Sequence, residues 1–265
     1  MCPAALSLAP AQGSAQVMRL TFHGPDVFVI WLQAPGLAQA QPGQFVHLRV
    51  GDGYLRRPFS IYRVAGDQLA LLVRAKGRGT RWLAGLAPGS RLDWLGPLGR
   101  PYSAPSGPGR VLLVGGGVGV APLVHFAETH AAQAGLGLRA LFGFRSADQA
   151  VNDAPLAAWG VDLTLYTEDG SQGRRGRVVD DLPTILRDFA PQRVLTCGPD
   201  GLMRAVAEAA AAAGVPCEVS LERPMGCGIG VCLLCVVPVR GEGEGPFYER
   251  VCCEGPVFDA ERLAW

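Results

Sequence analysis

The stretch Val111-Leu112-Leu113-Val114-Gly115-Gly116-Gly117-Val118-Gly119-Val120-Ala121-Pro122-Leu123 decides the fold. Val111 to Val114 is a continuous apolar run, as expected of a parallel strand buried on both faces. A glycine turn follows, then a helix-like segment to about Ala134. The dinucleotide fingerprint G-x-G-x-x-G is not met. Counted from Gly115 the third glycine position holds Val120, and counted from Gly117 it holds Pro122. What stands there is G-x-G-x-x-P. The physics is kept, because glycines permit close backbone approach and a helix N-terminus favours a pyrophosphate. Pro122 suits a first helical turn.

Downstream, strands at Leu138–Phe142, Leu163–Tyr166 and Arg193–Thr196 alternate with helical pattern, which predicts a parallel sheet. The helix Asp200 to Ala213 is alanine-rich, with Gly214 placed to stop it. Cys197-Gly198-Pro199 links the fourth strand to that helix, where open α/β sheets bind ligands. Upstream the pattern differs. Gln16–Leu20, Val27–Leu32, Phe45–Val50 and Leu69–Val73 are β-rich runs between Gly and Pro turns, which suggests a barrel or sandwich. Pro101 to Gly109 reads as a linker by composition. From Val219 onward Cys, Gly and Val dominate around a polar tip at 241–245, a module small enough to need a metal centre. The expected division is 12–104, 109–216 and 218–265.

The 265 residues carry 24 basic and 23 acidic side chains, so the basic excess of a nucleic-acid binder is missing. The first residues lack the charged region of a signal peptide. The longest apolar stretch, Val111 to Ala127, contains four glycines and Pro122 and is too short for a membrane span. A soluble, cytoplasmic chain is expected. Five of the eight cysteines lie from position 227 onward, at short spacings that suit metal ligation in a reducing compartment.

Those cysteines run Cys227-x4-Cys232-x2-Cys235, followed by Cys252 and Cys253. This is the plant-type [2Fe-2S] spacing, in which three thiolates on one loop are joined by a distant fourth. Zinc would usually want paired C-x2-C knuckles, and only one is present. Gly226, Gly228 and Gly230 let the loop bend and turn N–H groups toward sulfur. Spacing alone leaves the fourth ligand open between Cys252 and Cys253. Cys2, Cys197 and Cys217 are isolated and read as ordinary small residues.

Arg56-Arg57-Pro58-Phe59-Ser60-Ile61-Tyr62 reads as a strand in which an Arg and a Ser three apart can bind a phosphate and a flavin edge. Phe59 and Ile61 would face the core. Gly77-Arg78-Gly79-Thr80 opens a short helix and can offer N–H groups to a pyrophosphate. Together with the βα domain, these motifs resemble the ferredoxin-NADP reductase superfamily. That resemblance implies an antiparallel FAD-binding β-barrel, a parallel α/β nucleotide-binding domain and, here, a small C-terminal [2Fe-2S] module. It implies that Arg57, Pro58, Phe59 and Ser60 hold FAD, that Leu72, Val73 and Arg74 flank its ring and ribityl chain, and that Gly79 and Thr80 hold the diphosphate. It places NAD against Gly115, Gly117, Gly119 and Pro122, with Cys197 and Gly198 near the nicotinamide.

Glu222 to Cys235, and Val251-Cys252-Cys253-Glu254-Gly255-Pro256-Val257-Phe258, further resemble the electron-transfer subunits of class 1 type B dihydroorotate dehydrogenase. By that match the ligands are Cys227, Cys232, Cys235 and Cys252. Cys253 takes a place usually held by a polar residue. The family implies a partner that oxidises dihydroorotate at its own FMN, in a heterotetramer of two of each chain. Electrons pass through [2Fe-2S] and FAD to NAD in pyrimidine biosynthesis. No side chain is assigned as catalytic, because the cofactors carry the chemistry. Arg145 and Ser146 would favour a 2′-phosphate and Asp148 would repel it; the resemblance favours NAD. The four histidines show no motif, and His125 and His130 read as helix residues. Two alternatives remain. A flavin/iron–sulfur subunit of an electron-bifurcating transhydrogenase or sulfhydrogenase would have a different large partner. A redox sensor would show no turnover with NADH.

Overall fold

In the computed structural model, which describes residues 10–151, 154–241, 243 and 245–265, every second residue of the first strands points into one core. Cys2, and Glu242 and Glu244 of the expected hairpin tip, lie outside those residues. The strands are β1 (Ala11–Phe22), β2 (Val27–Gln33), β3 (Phe45–Leu48), β4 (Arg57–Ala65), β5 (Gln68–Arg74) and, after helix α1 (Arg78–Ala84), β6 (Arg91–Leu98). They close a barrel in the order β1-β2-β5-β4-β3-β6, with antiparallel pairings. Phe28, Ile30 and Leu32 of β2 fill the barrel. Val27, Val29 and Trp31, on the opposite face, join a second core shared with the nucleotide domain. Burial on both faces is why β2 reads as an unbroken apolar run rather than an alternating one.

The second unit runs β7 (Gly109–Gly116), α2 (Ala121–His130), β8 (Leu136–Phe144), β9 (Asp162–Thr167), β10 (Arg174–Arg175), α3 (Leu182–Phe189), β11 (Arg193–Cys197), α4 (Asp200–Ala212) and β12 (Cys217–Ser220). The helix α2 stops at His130, short of Ala134. The chain must reverse to bring β8 beside β7, and Gly135, at φ +75° against Pro108, makes that turn. Gly214 ends α4 with φ +67°, as its position predicts.

The C-terminal module contributes the hairpin β13 (Val236–Val239) and β14 (Phe247–Arg250), then β15 (Val257–Asp259). The large sheet has seven strands in the order β10-β9-β8-β7-β11-β12-β15, and β15 lies antiparallel to β12. The C-terminal stretch thus shares a sheet with the chain before it.

The expected linker is irregular but pinned on every side. Tyr102 donates its N–H to Pro42 O at 2.8 Å and its hydroxyl to Thr196 O at 3.0 Å. The buried Glu218 accepts the Ser103 N–H at 3.1 Å and pairs with Arg193 at 3.2 Å. Arg100 N–H donates to Gly255 O at 2.6 Å. Among the described residues no helix is long and apolar enough to cross a membrane.

Candidate functional site

The loop from Cys227 to Cys235 folds around its own first sulfur. Main-chain N–H groups of Ile229, Val231 and Cys232 point at Cys227 Sγ at 3.5, 3.3 and 3.4 Å. Burial pushes the Cys227 thiol up. The N–H donors of Cys232, Ile229 and Val231 outweigh it and bring the thiol down to about 6. Gly228 and Gly230 hold φ of +73° and +81°, a region that disfavours residues with a Cβ.

The four sulfurs fall into two pairs. The Cys227 side chain meets that of Cys232, and the Cys252 side chain meets that of Cys235. Cys252 N–H also points at Cys235 Sγ, at 3.4 Å. Among the described residues, no three His, Cys, Asp or Glu side chains form a site for a single metal ion. Two thiolate pairs, one for each iron, are what a two-iron cluster requires. Burial, followed by the shared proton and charge of Cys235, pushes the Cys252 thiol up to about 12. A bound metal would remove that proton outright. Cys253 is disulfide-bonded, its Sγ 2.5 Å from where a Cβ on Gly230 would stand.

A clamp that sequence reasoning missed braces this loop. Arg250 Nη1 donates to Gly230 O at 2.8 Å, while its Nε and its main-chain N–H donate to Glu254 at 3.0 and 2.7 Å. Spacing gave no cue, since an Arg and a Glu four apart usually mark a solvated helix face.

The two adjacent arginines of the expected flavin strand have different surroundings. Arg56 is tied to β6, with Nη2 2.8 Å from Asp93 Oδ1 and Nη1 3.1 Å from Asp93 O. Arg57 is exposed and, among the described residues, reaches the carbonyls of Leu55 and Arg56, at 3.2 and 3.1 Å. Among the described residues no carboxylate pairs with it, and a guanidinium fits a phosphate. Pro58 and Ser60 are half-buried, and Phe59 and Ile61 enter the barrel core as alternation predicts. Leu72 faces the core shared with the nucleotide sheet, whereas Val73 points into the barrel. Arg74 pairs with Asp26 at 2.7 Å. The Thr80 hydroxyl accepts the Gly77 N–H at 3.0 Å and so shapes the first turn of α1. A Cβ on Gly79 would lie 2.7 Å from Val50 Cγ2, so close packing requires glycine there.

The third group lies at the carboxyl ends of β7 and β11, where strand order reverses. There the connections diverge and leave a crevice. Gly119 packs on the other loop, since its Cβ would meet Gly198 Cα at 2.6 Å, and Gly115 packs on Val120 and Leu123. Gly117, at φ +56°, has nothing within 4 Å of its Cβ position and borders open space. Pro122 lies in the first turn of α2, and His125 and His130 belong to the same helix. Cys197 is buried and its thiol is pushed up to about 12, by burial first and the Glu222 charge second. It is a protonated thiol, not a nucleophile.

His47 also escaped the sequence reading. It is fully buried in β3 and its imidazole faces the cysteine loop. A Cβ on Gly228 would lie 2.6 Å from His47 Nδ1. Burial, then the Arg56 charge, lowers its pKa to about 4. The one signal was a polar residue inside the apolar run Phe45-Val46-His47-Leu48.

Comparison with known proteins agrees with this arrangement. Residues 222–264 match the family described as the iron–sulfur cluster binding domain of dihydroorotate dehydrogenase B. The chain is 36% identical over 257 residues to a protein from Desulforamulus reducens named dihydroorotate dehydrogenase B (NAD(+)), electron transfer subunit. That match covers 95% of this chain and 97% of the relative. A protein of the same name from Geobacillus thermodenitrificans is 40% identical over 228 residues, covering 83% and 85%. Among solved structures, an NADH-dependent reduced ferredoxin-NADP oxidoreductase, studied for flavin-based electron bifurcation, superposes with a TM-score of 0.84. It is 30% identical, over 95% of this chain and 90% of that one. A ferredoxin NADP+ reductase from Neisseria gonorrhoeae shares the fold, with a TM-score of 0.64 at 15% identity over 77% of this chain and 92% of that one. The barrel, the nucleotide sheet, the cysteine loop and full-length similarity converge, and the chain belongs to the family of electron transfer subunits of dihydroorotate dehydrogenase B.

Proposed function

We propose that this chain carries electrons from dihydroorotate, oxidised at the FMN of a partner subunit, through a [2Fe-2S] cluster and FAD to NAD. The observation that carries this reading is that Cys235 and Cys252 share a core with Phe45 of β3, and Gly228 of the cysteine loop lies against His47 of β3, the neighbour of the flavin strand β4. The cluster passes single electrons, the flavin handles one or two, and the nicotinamide takes a hydride. Cys227, Cys232, Cys235 and Cys252 hold the cluster, and the N–H groups around Cys227 stabilise its thiolate. Arg57 and Ser60 orient FAD from β4, with Gly79 and Thr80 at the diphosphate. Gly117 leaves room for the dinucleotide at the crevice between β7 and β11. The functional units are 12–104 for FAD, 109–216 for NAD and 218–265 for the cluster.

The partner meets the protein beside the cysteine loop. Val231, Leu233, Leu234 and Tyr248 are there 75, 60, 54 and 59% exposed, an apolar patch of the kind that marks an interface. Two copies of each chain form a cytoplasmic heterotetramer. The test is division of labour. The chain alone should reduce dyes with NADH and leave dihydroorotate untouched. Adding the FMN subunit should confer dihydroorotate:NAD activity. Dihydroorotate bleaching the flavin of the isolated chain would overturn the proposal.

A second reading, a subunit of an electron-bifurcating transhydrogenase, draws on the likeness to the bifurcating oxidoreductase. It would gain support if NADPH reduced the flavin faster than NADH and Arg145→Ala removed that preference. Ser146 and Asp148 are hydrogen-bonded to each other, which leaves the exposed Arg145 as the side chain to test.

A further inference from the structure

Strand β3 has two buried faces. Val46 and Leu48 point into the barrel, whereas Phe45 packs in a core with Met225, Cys235, Val251 and Cys252 of the cysteine module. His47 shares the outward face with Phe45. On the strand's other side, its register partner in β4 is Pro58, between Arg57 and Phe59. One strand therefore separates the residues proposed for FAD from the loop proposed for the cluster, and a single polar side chain on it faces that loop.

That side chain is anomalous. Its exposure is 0%, and neither Nδ1 nor Nε2 makes a hydrogen bond of regular geometry; the main-chain groups the ring meets are those of Cys227 and Arg56. Native proteins rarely leave a buried polar group unsatisfied without a functional reason. The imidazole lies against Gly228, and a Cβ at that position would stand 2.6, 3.2 and 3.3 Å from its Nδ1, Cε1 and Cγ. The loop has no side chain there, so nothing separates the ring from the main chain of the loop next to Cys227.

We infer that His47 is a tuning residue: an N–H donor from the barrel to the iron–sulfur loop, on the side of the flavin strand, that stabilises the reduced cluster. It is not a ligand, because the thiolate pairs account for both irons. An imidazole carries at least one N–H in either of its protonation states. Donors near cluster sulfur raise the reduction potential, because they favour the form with the extra negative charge. The ring reaches the loop at the main chain of Cys227, the residue whose sulfur the loop N–H groups surround. This inference rests on the proposed four-cysteine cluster.

The experiment uses the full chain, purified with its cofactors, in three forms: wild type, His47→Leu and His47→Asn. Leu keeps the bulk and removes the donor. Asn places an amide N–H close to where Nδ1 stands. Cluster and flavin contents are read from absorbance and iron analysis, and the cluster midpoint from a redox titration followed by electron paramagnetic resonance. His47→Leu should keep both cofactors and lower the midpoint, with a tenfold shift in the oxidised-to-reduced ratio at fixed potential, about 59 mV for one electron. His47→Asn should return the midpoint toward wild type. An unchanged midpoint in His47→Leu, or the same lowered midpoint in both variants, would reduce His47 to packing and overturn the inference. Loss of the cluster from both variants would also count against a tuning role. A wild-type chain without a [2Fe-2S] signal would instead remove the cluster assignment beneath it.

Discussion

At the scale of single residues, neighbours of like chemistry are separated by what they face. Cys252 points at Cys235 whereas Cys253 is disulfide-bonded, a difference the C-x16-C and C-x17-C spacings could not resolve. Cys252→Ser should abolish the visible absorbance of the cluster, and Cys253→Ser should retain it. The reverse pattern in purified protein would reassign the fourth ligand. Arg56 and Arg57 divide in the same way. Removing the charge of Arg57 should weaken FAD binding by about 1.5–3 kcal/mol, roughly tenfold or more, with no loss of barrel stability. Flavin release on dilution measures it. Arg56→Ala should do the opposite, lowering the urea midpoint through the lost Asp93 contacts while FAD stays bound. The sequence displayed both arginines, but their assignment depends on β6, which lies far along the chain.

At the scale of elements, legibility followed locality. Strands β7, β8 and β11 were readable because each has a buried apolar run, and β9, whose Leu163 is exposed, was readable from its place in the series of strands. Strand β6 was not, because Gly96 and Pro97 break its pattern and its partners β1 and β3 are remote. Strands β12 and β15 were hidden for the same reason, being short and defined by each other. Within the cysteine loop, Gly230→Ala would combine an unfavourable φ with a collision at Cys253. Cluster content should fall well below wild type after identical reconstitution. Helix α2 carries a pH-sensitive position. His125 is buried and its pKa is lowered to about 3, by burial first and the His130 charge second. The fold therefore excludes a proton that the unfolded chain takes up below about 6.5. Its contribution is complete above that pH and is lost as pH falls toward 3, at up to about 1.4 kcal/mol per pH unit. In urea titrations between pH 4.5 and 7, His125→Leu should show a correspondingly shallower acid loss than wild type.

At the scale of the whole molecule, three units with separate sequence signatures are locked into one body. Arg63 of β4 pairs with Glu128 of α2 at 2.8 Å, and both side chains are less than a fifth exposed. The guanidinium lies between Trp31 and Trp159, 5.5 and 5.2 Å from their ring centroids. Glu128 also accepts the Val64 N–H at 3.0 Å. Glu128→Ala should cost about 1–3 kcal/mol, visible as an earlier, less cooperative thermal transition. None of this seam was legible in sequence. Arg63 and Glu128 belong to different domains, and composition marked the chain between them as a loose linker.

The strand β15 also closes one edge of the large sheet. It is three residues long and covers the outer edge of β12. A chain ending at Cys253 would lose it and expose unpaired N–H and C=O groups along β12, an open template for another chain. Such a truncated protein should self-associate edge to edge, eluting from a sizing column as dimers and larger species. By that measure β15 closes the sheet against a second chain, a task separate from any at the cysteine loop.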